Sequence, residues 1–152
     1  MIYRVQVRCD RGMARSRPGA REAARAALQH QEAPDGDLTV VLSGAAKMQE
    51  LNRRYAGDDY PTDVLSFVDG SREPETGRKY FGDVVIAVPV AEEQARAAGH
   101  SLATEVALLV VHGVLHLLGH DHGRTKERAL MEAAESEILK ILGIPSLSPR
   151  AP

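Results

Sequence analysis

The feature that most constrains the fold of this chain is the segment VVHGVLHLLGHDHG, Val110 to Gly123, which holds four of the six histidines in the sequence. His112 and His116 are four residues apart, so on a helix they lie on one face about a turn from each other. Gly119 follows three residues later, where a glycine can adopt the left-handed conformation that ends a helix. His122 comes after this turn and can approach the same point from another side. The segment predicts a helix that stops at its glycine and a cluster of three imidazoles.

Three histidines in the pattern H-x-x-x-H-x-x-G-x-x-H are typical of zincin-like metal hydrolases, in which they leave the fourth metal position open. The peptidases of that class carry a glutamate general base directly after the first histidine, whereas this chain has Gly113 there. The pattern therefore predicts an open catalytic metal site on His112, His116 and His122, without the peptidase base.

The three remaining histidines and one aspartate beside the pattern could also contribute to the site. His120 would share the helix face of the ligands if the helix continued, but the glycine before it argues that the helix does not. Asp121 is a candidate to hydrogen bond to a ligand imidazole or to act as a general base, although a carboxylate next to a turn can equally be solvated without either role. His30 and His100 stand alone in the sequence, and we assign them no role.

The composition is that of an ordinary globular domain. The chain has 152 residues, of which 43% are hydrophobic and 26% charged, so we predict a single domain over residues 1–152 with one core. One cysteine, Cys9, permits no internal disulfide, and the N-terminal MIYRVQVRCD is too charged for a signal peptide. The longest apolar run near the histidines, VALLVV, is far shorter than the roughly 20 residues of a membrane helix. We therefore expect a cytoplasmic protein without a membrane partner.

The periodicity of apolar residues predicts a mixture of strands and helices. Strands are expected at MIYRVQV, DLTVVLS, DVLSFV and GDVVIAV, and helices at RPGAREAARAALQHQ, SGAAKMQELNRRY, PVAEEQARAAG, Leu102–Leu118 and Lys126–Leu142. In the first strand the apolar residues are Ile2, Val5 and Val7, which do not follow a strict alternation of apolar and polar positions. Ser43 is the expected cap of the second helix, and the polar segment GSREPETGRKYFG is the expected mobile loop. This order predicts an α+β fold with one small mixed β-sheet packed against helices.

Charge is unevenly distributed along the chain. The formal net charge is −2, which gives no overall attraction to nucleic acid. The first 25 residues nevertheless carry seven arginines against two acidic residues: Arg4, Arg8, Arg11, Arg15, Arg17, Arg21 and Arg25. This asymmetry indicates either a polyanionic partner or an ordinary solvated face, and the second is the more common origin of such a run.

The histidine segment reads HGVLHLLGHDH, which resembles the H-G-x-L-H-L-x-G-Y-D-H signature of the YbeY endoribonucleases of bacterial rRNA maturation. His120 is the one departure, since the family usually has tyrosine there. A second block, LNRRYAGDDYPTDVLSF, and a third, GDVVIA, also match the family. The resemblance covers the chain from Thr39 to the end of the last predicted helix.

The resemblance implies a zinc-dependent endoribonuclease that cleaves single-stranded RNA in small-subunit (16S) rRNA maturation and ribosome quality control. It implies one Zn²⁺ per chain on His112, His116 and His122. It also implies RNA and the small ribosomal subunit as partners, and no DNA substrate.

Two departures in the second block concern the catalytic residues. An arginine usually follows the tyrosine of that block in the family, and this chain has Ala56 there. Arg54, with Arg53 beside it, is our candidate to stabilise phosphate charge instead. Val68 stands where the family usually has proline. The predicted catalytic residues are therefore Arg54 and Asp121.

Two other functions fit the same histidines. A metallopeptidase would take its general base from elsewhere, with Glu105 or Asp121 as candidates, and would cleave peptides but not RNA. A non-catalytic RNA- or ribosome-binding factor would hold the metal structurally, with all four positions filled by protein. His120 is the residue that would close such a site, so loss of metal from a folded His120→Ala variant would favour this function.

Overall fold

The structure is a computed structural model, and it describes residues 1–57, 62–121 and 123–144. Within these residues four strands and five α-helices follow one another: β1 (Tyr3–Cys9), α1 (Ala20–His30), β2 (Gly36–Ser43), α2 (Ala45–Tyr55), β3 (Val64–Val68), β4 (Lys79–Ala87), α3 (Val88–Ala98), α4 (Leu102–Leu117) and α5 (Thr125–Ile141). The predicted α+β class is confirmed. The domain bounds 1–152 stay a prediction, because they include residues outside the described part.

The strands form one mixed sheet in the order β1-β2-β4-β3. β1, β2 and β4 are parallel, with Val7 opposite Val40 and Val40 opposite Val84. β3 is antiparallel to β4, with Ser66 opposite Val84, and it forms one edge of the sheet. The parallel pairing of β1 with β2 requires a crossover connection, and α1 supplies it.

One face of the sheet carries the main core. The inward side chains of the strands, such as Val5, Val40 and Val84, are buried beneath α1 and α4. α1 presents small buried side chains, which let it pack close to its neighbours: Ala20, Ala23, Ala24, Ala26 and Ala27. α5 packs against α4 and α1 with Met131 and Ile138 in the core. The middle of α4 is thus held between the sheet and two helices.

α2 covers part of the opposite face of the sheet. A small second cluster of apolar side chains joins this helix to β2, β3 and β4: Val41, Met48, Leu51, Leu65, Phe67, Val85 and Ala87. The side chains of β1 that point to this face, Arg4, Gln6 and Arg8, are exposed. α2 and α4 therefore lie on opposite faces of the sheet.

α3 and α4 meet at a sharp bend. Gly99 ends α3 in the left-handed conformation, with φ of +75°, and the Ser101 hydroxyl accepts the amide proton of Thr104 at the start of α4. Within the described ranges no single helix is long and apolar enough to cross a membrane. α3 and α4 pass the same test of length and composition only when taken together, across a bend of 115°.

The prediction of a mobile loop at GSREPETGRKYFG is wrong for the C-terminal part of this segment, because β4 begins at Lys79 rather than at Gly82. The amide of Gly70 donates to the carbonyl of Tyr80 at 2.7 Å, so the polar segment continues the pairing of β3 with β4. The register of β2 against β4 shifts beside Phe81, and Gly82 there has φ of +136°. A Cβ on Gly82 would lie 2.1 Å from the Phe67 carbonyl oxygen, so this bulge requires glycine.

Two smaller predictions are also corrected. Ser43 does not cap α2: it is the last residue of β2, and the N-cap is Gly44, without a side-chain cap hydrogen bond. In β1 the inward position belongs to Tyr3, which is buried and donates its hydroxyl to the Ala33 carbonyl, whereas Ile2 is 62% exposed. Because its hydroxyl has a hydrogen-bond partner, Tyr3 can be buried in the core, although the polarity of tyrosine led us to expect Ile2 there instead.

Candidate metal centre

The C-terminal end of α4 is defined by a glycine turn. Gly119 has φ of +99°. Its amide donates to the His116 carbonyl at 3.1 Å, and the amide of His120 donates to the Leu115 carbonyl at 3.0 Å. These two bonds are the Schellman arrangement that satisfies the last carbonyls of a helix. The predicted helix stop at Gly119 is confirmed.

The side chains of His112 and His116 meet on one face of α4. Their Nε2 atoms lie 3.2 Å apart, and both side chains are half-buried. Two nitrogens that bind one tetrahedral zinc at about 2.05 Å are separated by about 3.3 Å. The pair therefore fits two ligands of one metal ion.

Glu135 of α5 holds the first of these imidazoles from its other side. Its Oε1 lies 2.6 Å from Nδ1 of His112, and both side chains are about one-fifth exposed. When the carboxylate accepts the Nδ1 proton, the lone pair of His112 is placed on Nε2, which faces His116. Carboxylates commonly orient metal-binding histidines in this way, so Glu135 is a functional residue that the sequence analysis missed.

The signal for Glu135 was present in the sequence. This glutamate lies in α5 beside the buried residues Met131, Ala134, Ile138 and Leu139. A carboxylate on the apolar face of a helix needs a hydrogen-bond partner, because burying an unpaired charge is costly. That argument predicts a partner for Glu135, although the sequence does not say which residue it is.

His122, the third predicted ligand, lies outside the described residues. Over residues 1–57, 62–121 and 123–144, no group of three His, Cys, Asp or Glu side chains is placed to hold a metal ion. The structure therefore brings together two of the three predicted ligands. The role of His122 stays a prediction.

Asp121 and His120 follow the glycine turn. Asp121 is exposed, and its Oδ1 accepts the amide proton of Gly123 at 3.1 Å. Both residues line a surface cavity of about 450 Å³. Nε2 of His120 lies 2.7 Å from Oε1 of Gln31, and Nε2 of Gln31 lies 3.0 Å from Nδ1 of His30. His120 is thus engaged with the end of α1, which disfavours the role of a fourth ligand that closes a structural site.

The position of Gly113 bears on the metallopeptidase alternative. It faces the sheet, where a Cβ would lie 2.5 Å from Val84 Cγ1 and 3.2 Å from Ser66 Oγ. A glutamate base has no room there. Glu105, one of the two candidate bases elsewhere in the chain, is fully buried, and its Oε1 lies 2.7 Å from Nε2 of His100. Neither Gly113 nor Glu105 supports the peptidase mechanism, so the exposed Asp121 is the candidate base left to it.

Arg54 is not brought into contact with the histidine pair in the described part of the chain. It lies near the end of α2, and its guanidinium is 3.4 Å from Oε1 of Glu50, one helical turn earlier. The adjacent Arg53 forms a closer pair with the same carboxylate, at 2.7 Å. α2 packs on the opposite face of the sheet from α4, so any catalytic role of Arg54 requires RNA to pass the sheet edge at β3.

Known proteins of one family match most of this chain. A model of the family described as Endoribonuclease YbeY matches residues 10–143. The chain belongs to the YbeY endoribonuclease family. A member from Chloroflexus aurantiacus, named Endoribonuclease YbeY, is 40% identical over 153 residues, covering 95% of this chain and 99% of that protein. One from Moorella thermoacetica is 44% identical over 126 residues, covering 78% of this chain and 81% of that protein.

The fold also has a solved counterpart. The solution structure of a protein from Thermotoga maritima matches with a TM-score of 0.57 and 24% sequence identity, over 93% of this chain and 92% of that chain. At this identity the likeness concerns the fold alone. The family predicted from the histidine segment is therefore confirmed by sequence, and the α+β fold by structure.

Proposed function

We propose that this chain is a metal-dependent endoribonuclease that cleaves single-stranded RNA, with small-subunit (16S) rRNA as its substrate during maturation and quality control of the ribosome. Membership of the YbeY endoribonuclease family supports the reaction class and RNA as the substrate class. The observation that carries the metal dependence is the 3.2 Å separation of the Nε2 atoms of His112 and His116. The proposal includes a cytoplasmic location, the small ribosomal subunit as partner, and no DNA or membrane partner.

One Zn²⁺ per chain would be held by His112, His116 and His122. When bound, it supplies Lewis acidity, which polarises a phosphoryl oxygen and makes water a stronger acid. Three neutral imidazoles are the ligand set of several catalytic zinc sites and leave a position for substrate. The donor set present on α4 is suited to zinc, because imidazole is among its preferred ligands.

Glu135 and the packing of α4 prepare the site. By accepting the Nδ1 proton of His112, the carboxylate fixes the tautomer and the ring orientation of that ligand. The helix itself cannot shift easily, because Gly113 packs directly on Val84 and its carbonyl accepts the hydroxyl proton of Ser66 at 3.0 Å. Ligands on such a rigid element keep their geometry without an energetic cost at the moment of binding.

Asp121 and Arg54 are the proposed catalytic residues. Asp121 lines the surface cavity that follows the glycine turn, and its exposed carboxylate would act as the general base that accepts a proton from the attacking group. Arg54 is exposed and paired only at a distance of 3.4 Å, so it can exchange Glu50 for a phosphate oxygen of the substrate.

The test of this function measures how the purified full chain cleaves three labelled substrates. They are a single-stranded fragment of small-subunit rRNA, the same fragment annealed to its complement, and an unstructured peptide. We expect internal cleavage of the single-stranded RNA, little cleavage of the duplex, and an intact peptide. Cleavage of the peptide but not of the RNA would contradict the proposal and select the metallopeptidase.

A further inference from the structure

The face of the sheet opposite to α4 is partly open, and its exposed side chains suit a polyanion. Because side chains alternate along a strand, Arg4, Gln6 and Arg8 of β1 all point to this face, and all three are exposed. No ion pair within 4 Å in the described ranges involves Arg4 or Arg8. Beside them lie the half-buried Tyr80 and Asp83, and Thr39 is buried beneath the Tyr80 hydroxyl. We call the surface formed by Arg4, Gln6, Arg8, Tyr80 and Asp83 the open sheet face.

The carboxylates that the strands place on this side are already engaged. Oδ1 of Asp37 lies 2.5 Å from a guanidinium nitrogen of Arg78. Asp83 accepts the hydroxyl proton of Tyr80, whose oxygen also lies 2.7 Å from Thr39 Oγ1. Burial and the bond to Asp83 raise the pKa of Tyr80 to about 12, so the phenol stays neutral. Asp10, which follows β1 and interacts electrostatically with Arg8, is itself paired with Lys47 at 3.2 Å. The charges left to attract a partner on this face are therefore those of the two arginines of β1.

Aromatic side chains are concentrated on the same side of the sheet. Two of the aromatic residues in the described part, Tyr3 and Phe81, belong to the main core. The others, Tyr55, Phe67 and Tyr80, all lie on the α2 side, where Tyr55 and Phe67 are in edge contact with ring centroids 5.5 Å apart. Tyr55 is 62% exposed. Aromatic faces beside a basic groove are the usual means of binding single-stranded nucleic acid without sequence preference.

The edge strand β3 separates the histidine pair from the side of the sheet that carries the open sheet face. Ser66 of β3 points to α4 and donates to the carbonyl of Gly113, the residue after His112. Phe67, the next residue, points to the opposite side. β1 lies three strands from β3, which is about 14 Å at the usual strand spacing. An RNA strand that leaves the histidine pair over the β3 edge reaches Arg4 and Arg8 within a few nucleotides.

We propose that the open sheet face binds the backbone of single-stranded RNA, with Arg4 and Arg8 contacting phosphates on the part of the substrate that extends beyond the cleavage site. This inference rests on the proposed function, since it concerns the same RNA. It also gives Arg4 and Arg8, two of the seven arginines at the start of the chain, a specific role, which the sequence alone left open between a polyanion partner and a solvated face.

The test measures binding of a fluorescein-labelled single-stranded RNA of about 12 nucleotides. The full chain is used by fluorescence anisotropy over a range of salt concentrations, with chelator present so that no cleavage occurs. The variant is Arg4→Ala/Arg8→Ala. The matched control is Arg17→Ala/Arg25→Ala, which removes the same charge from exposed positions next to and within α1, on the other side of the molecule.

Loss of two phosphate contacts lowers the slope of log K against log salt by about 1.4, since each contact to a single strand contributes about 0.7. Extrapolated from 1 M to 0.1 M salt, this slope predicts binding that is weaker by about 25-fold. The control is expected to keep the wild-type slope. Equal slopes for the two double variants would show that the open sheet face does not bind RNA. If the wild-type protein still cleaves RNA, the proposed function is not affected by that result. A wild-type protein that neither binds nor cleaves RNA would overturn both.

Discussion

Replacing Glu135 tests whether the histidine pair is a metal site and not a structural contact. Glu135→Gln keeps a neutral acceptor within reach of His112 Nδ1, and Glu135→Ala removes the acceptor. If the carboxylate orients His112 for zinc, both variants bind zinc more weakly than the wild-type protein. The loss of affinity is then larger for Glu135→Ala than for Glu135→Gln.

The size of the effect follows from the contact. The Glu135 carboxylate lies 2.6 Å from His112 Nδ1, and each side chain is about one-fifth exposed, so solvent screens the pair only in part. Changing the partner of a metal-binding histidine typically weakens metal affinity by 10- to 100-fold, which is about 1.4 to 2.7 kcal/mol. We expect about 10-fold for Glu135→Gln, which keeps one hydrogen bond, and about 100-fold for Glu135→Ala.

The chain offers a matched control two residues further along the same helix. Oε2 of Glu137 lies 2.5 Å from Nε2 of His30, and that glutamate is 65% exposed. Glu137→Ala therefore breaks a histidine–glutamate pair of the same type away from the predicted ligands. Zinc affinity is measured by competition with a chromophoric chelator, and folding by circular dichroism. Equal zinc affinities for Glu135→Ala, Glu137→Ala and the wild-type protein would refute the role of Glu135.

Three further predictions concern packing, pH and catalysis. Gly113→Ala places a Cβ about 2.5 Å from Val84 Cγ1, so we expect urea denaturation to show a loss of about 1–3 kcal/mol in the free energy of unfolding. The loss should be smaller when Val84→Ala is already present, and an equal loss with Val84 and with Val84→Ala would contradict the clash. Tyr80 ionises near pH 12 when folded and near 10.0 when unfolded, so stability is lost as pH rises between these values, and Tyr80→Phe should remove this part of the decline in alkaline denaturation series. Arg54→Ala should lower RNA cleavage by about 10- to 100-fold without changing the melting temperature, because the side chain is exposed; full activity would exclude Arg54 from catalysis.

The helix that carries the histidines was predictable because every local signal agreed. The apolar run, the four-residue spacing of His112 and His116, and the glycine after them all indicated a buried helix that stops at Gly119. α4 spans Leu102–Leu117, one residue shorter than predicted. Positions that are fixed by local hydrogen bonds and by one periodicity can be inferred from sequence, because their determinants lie within a few residues.

What the sequence did not yield depends on contacts between distant segments. Glu135 approaches His112 across 23 positions of the chain, and no spacing rule links α5 to α4. The start of β4 at Lys79 depends on pairing with β2 and with the segment after β3, which extends the strand beyond the bulge at Gly82. Tyr80 and Phe81 favour strand, but the glycines and charged residues around them indicated a loop. The placement of α2 on the opposite face of the sheet from α4 follows from strand order, which periodicity does not determine.

Metal-dependent RNA cleavage is tested most directly by removing and restoring the metal. A labelled single-stranded rRNA fragment is incubated with the wild-type protein, with protein stripped by chelator, with stripped protein to which one equivalent of zinc is returned, and with His116→Ala in the presence of zinc. Metal content is measured in each sample. We expect cleavage in the first and third samples and none in the second and fourth. Cleavage that persists after the metal has been removed, or in the folded His116→Ala variant, would show that cleavage does not depend on a metal held by these histidines.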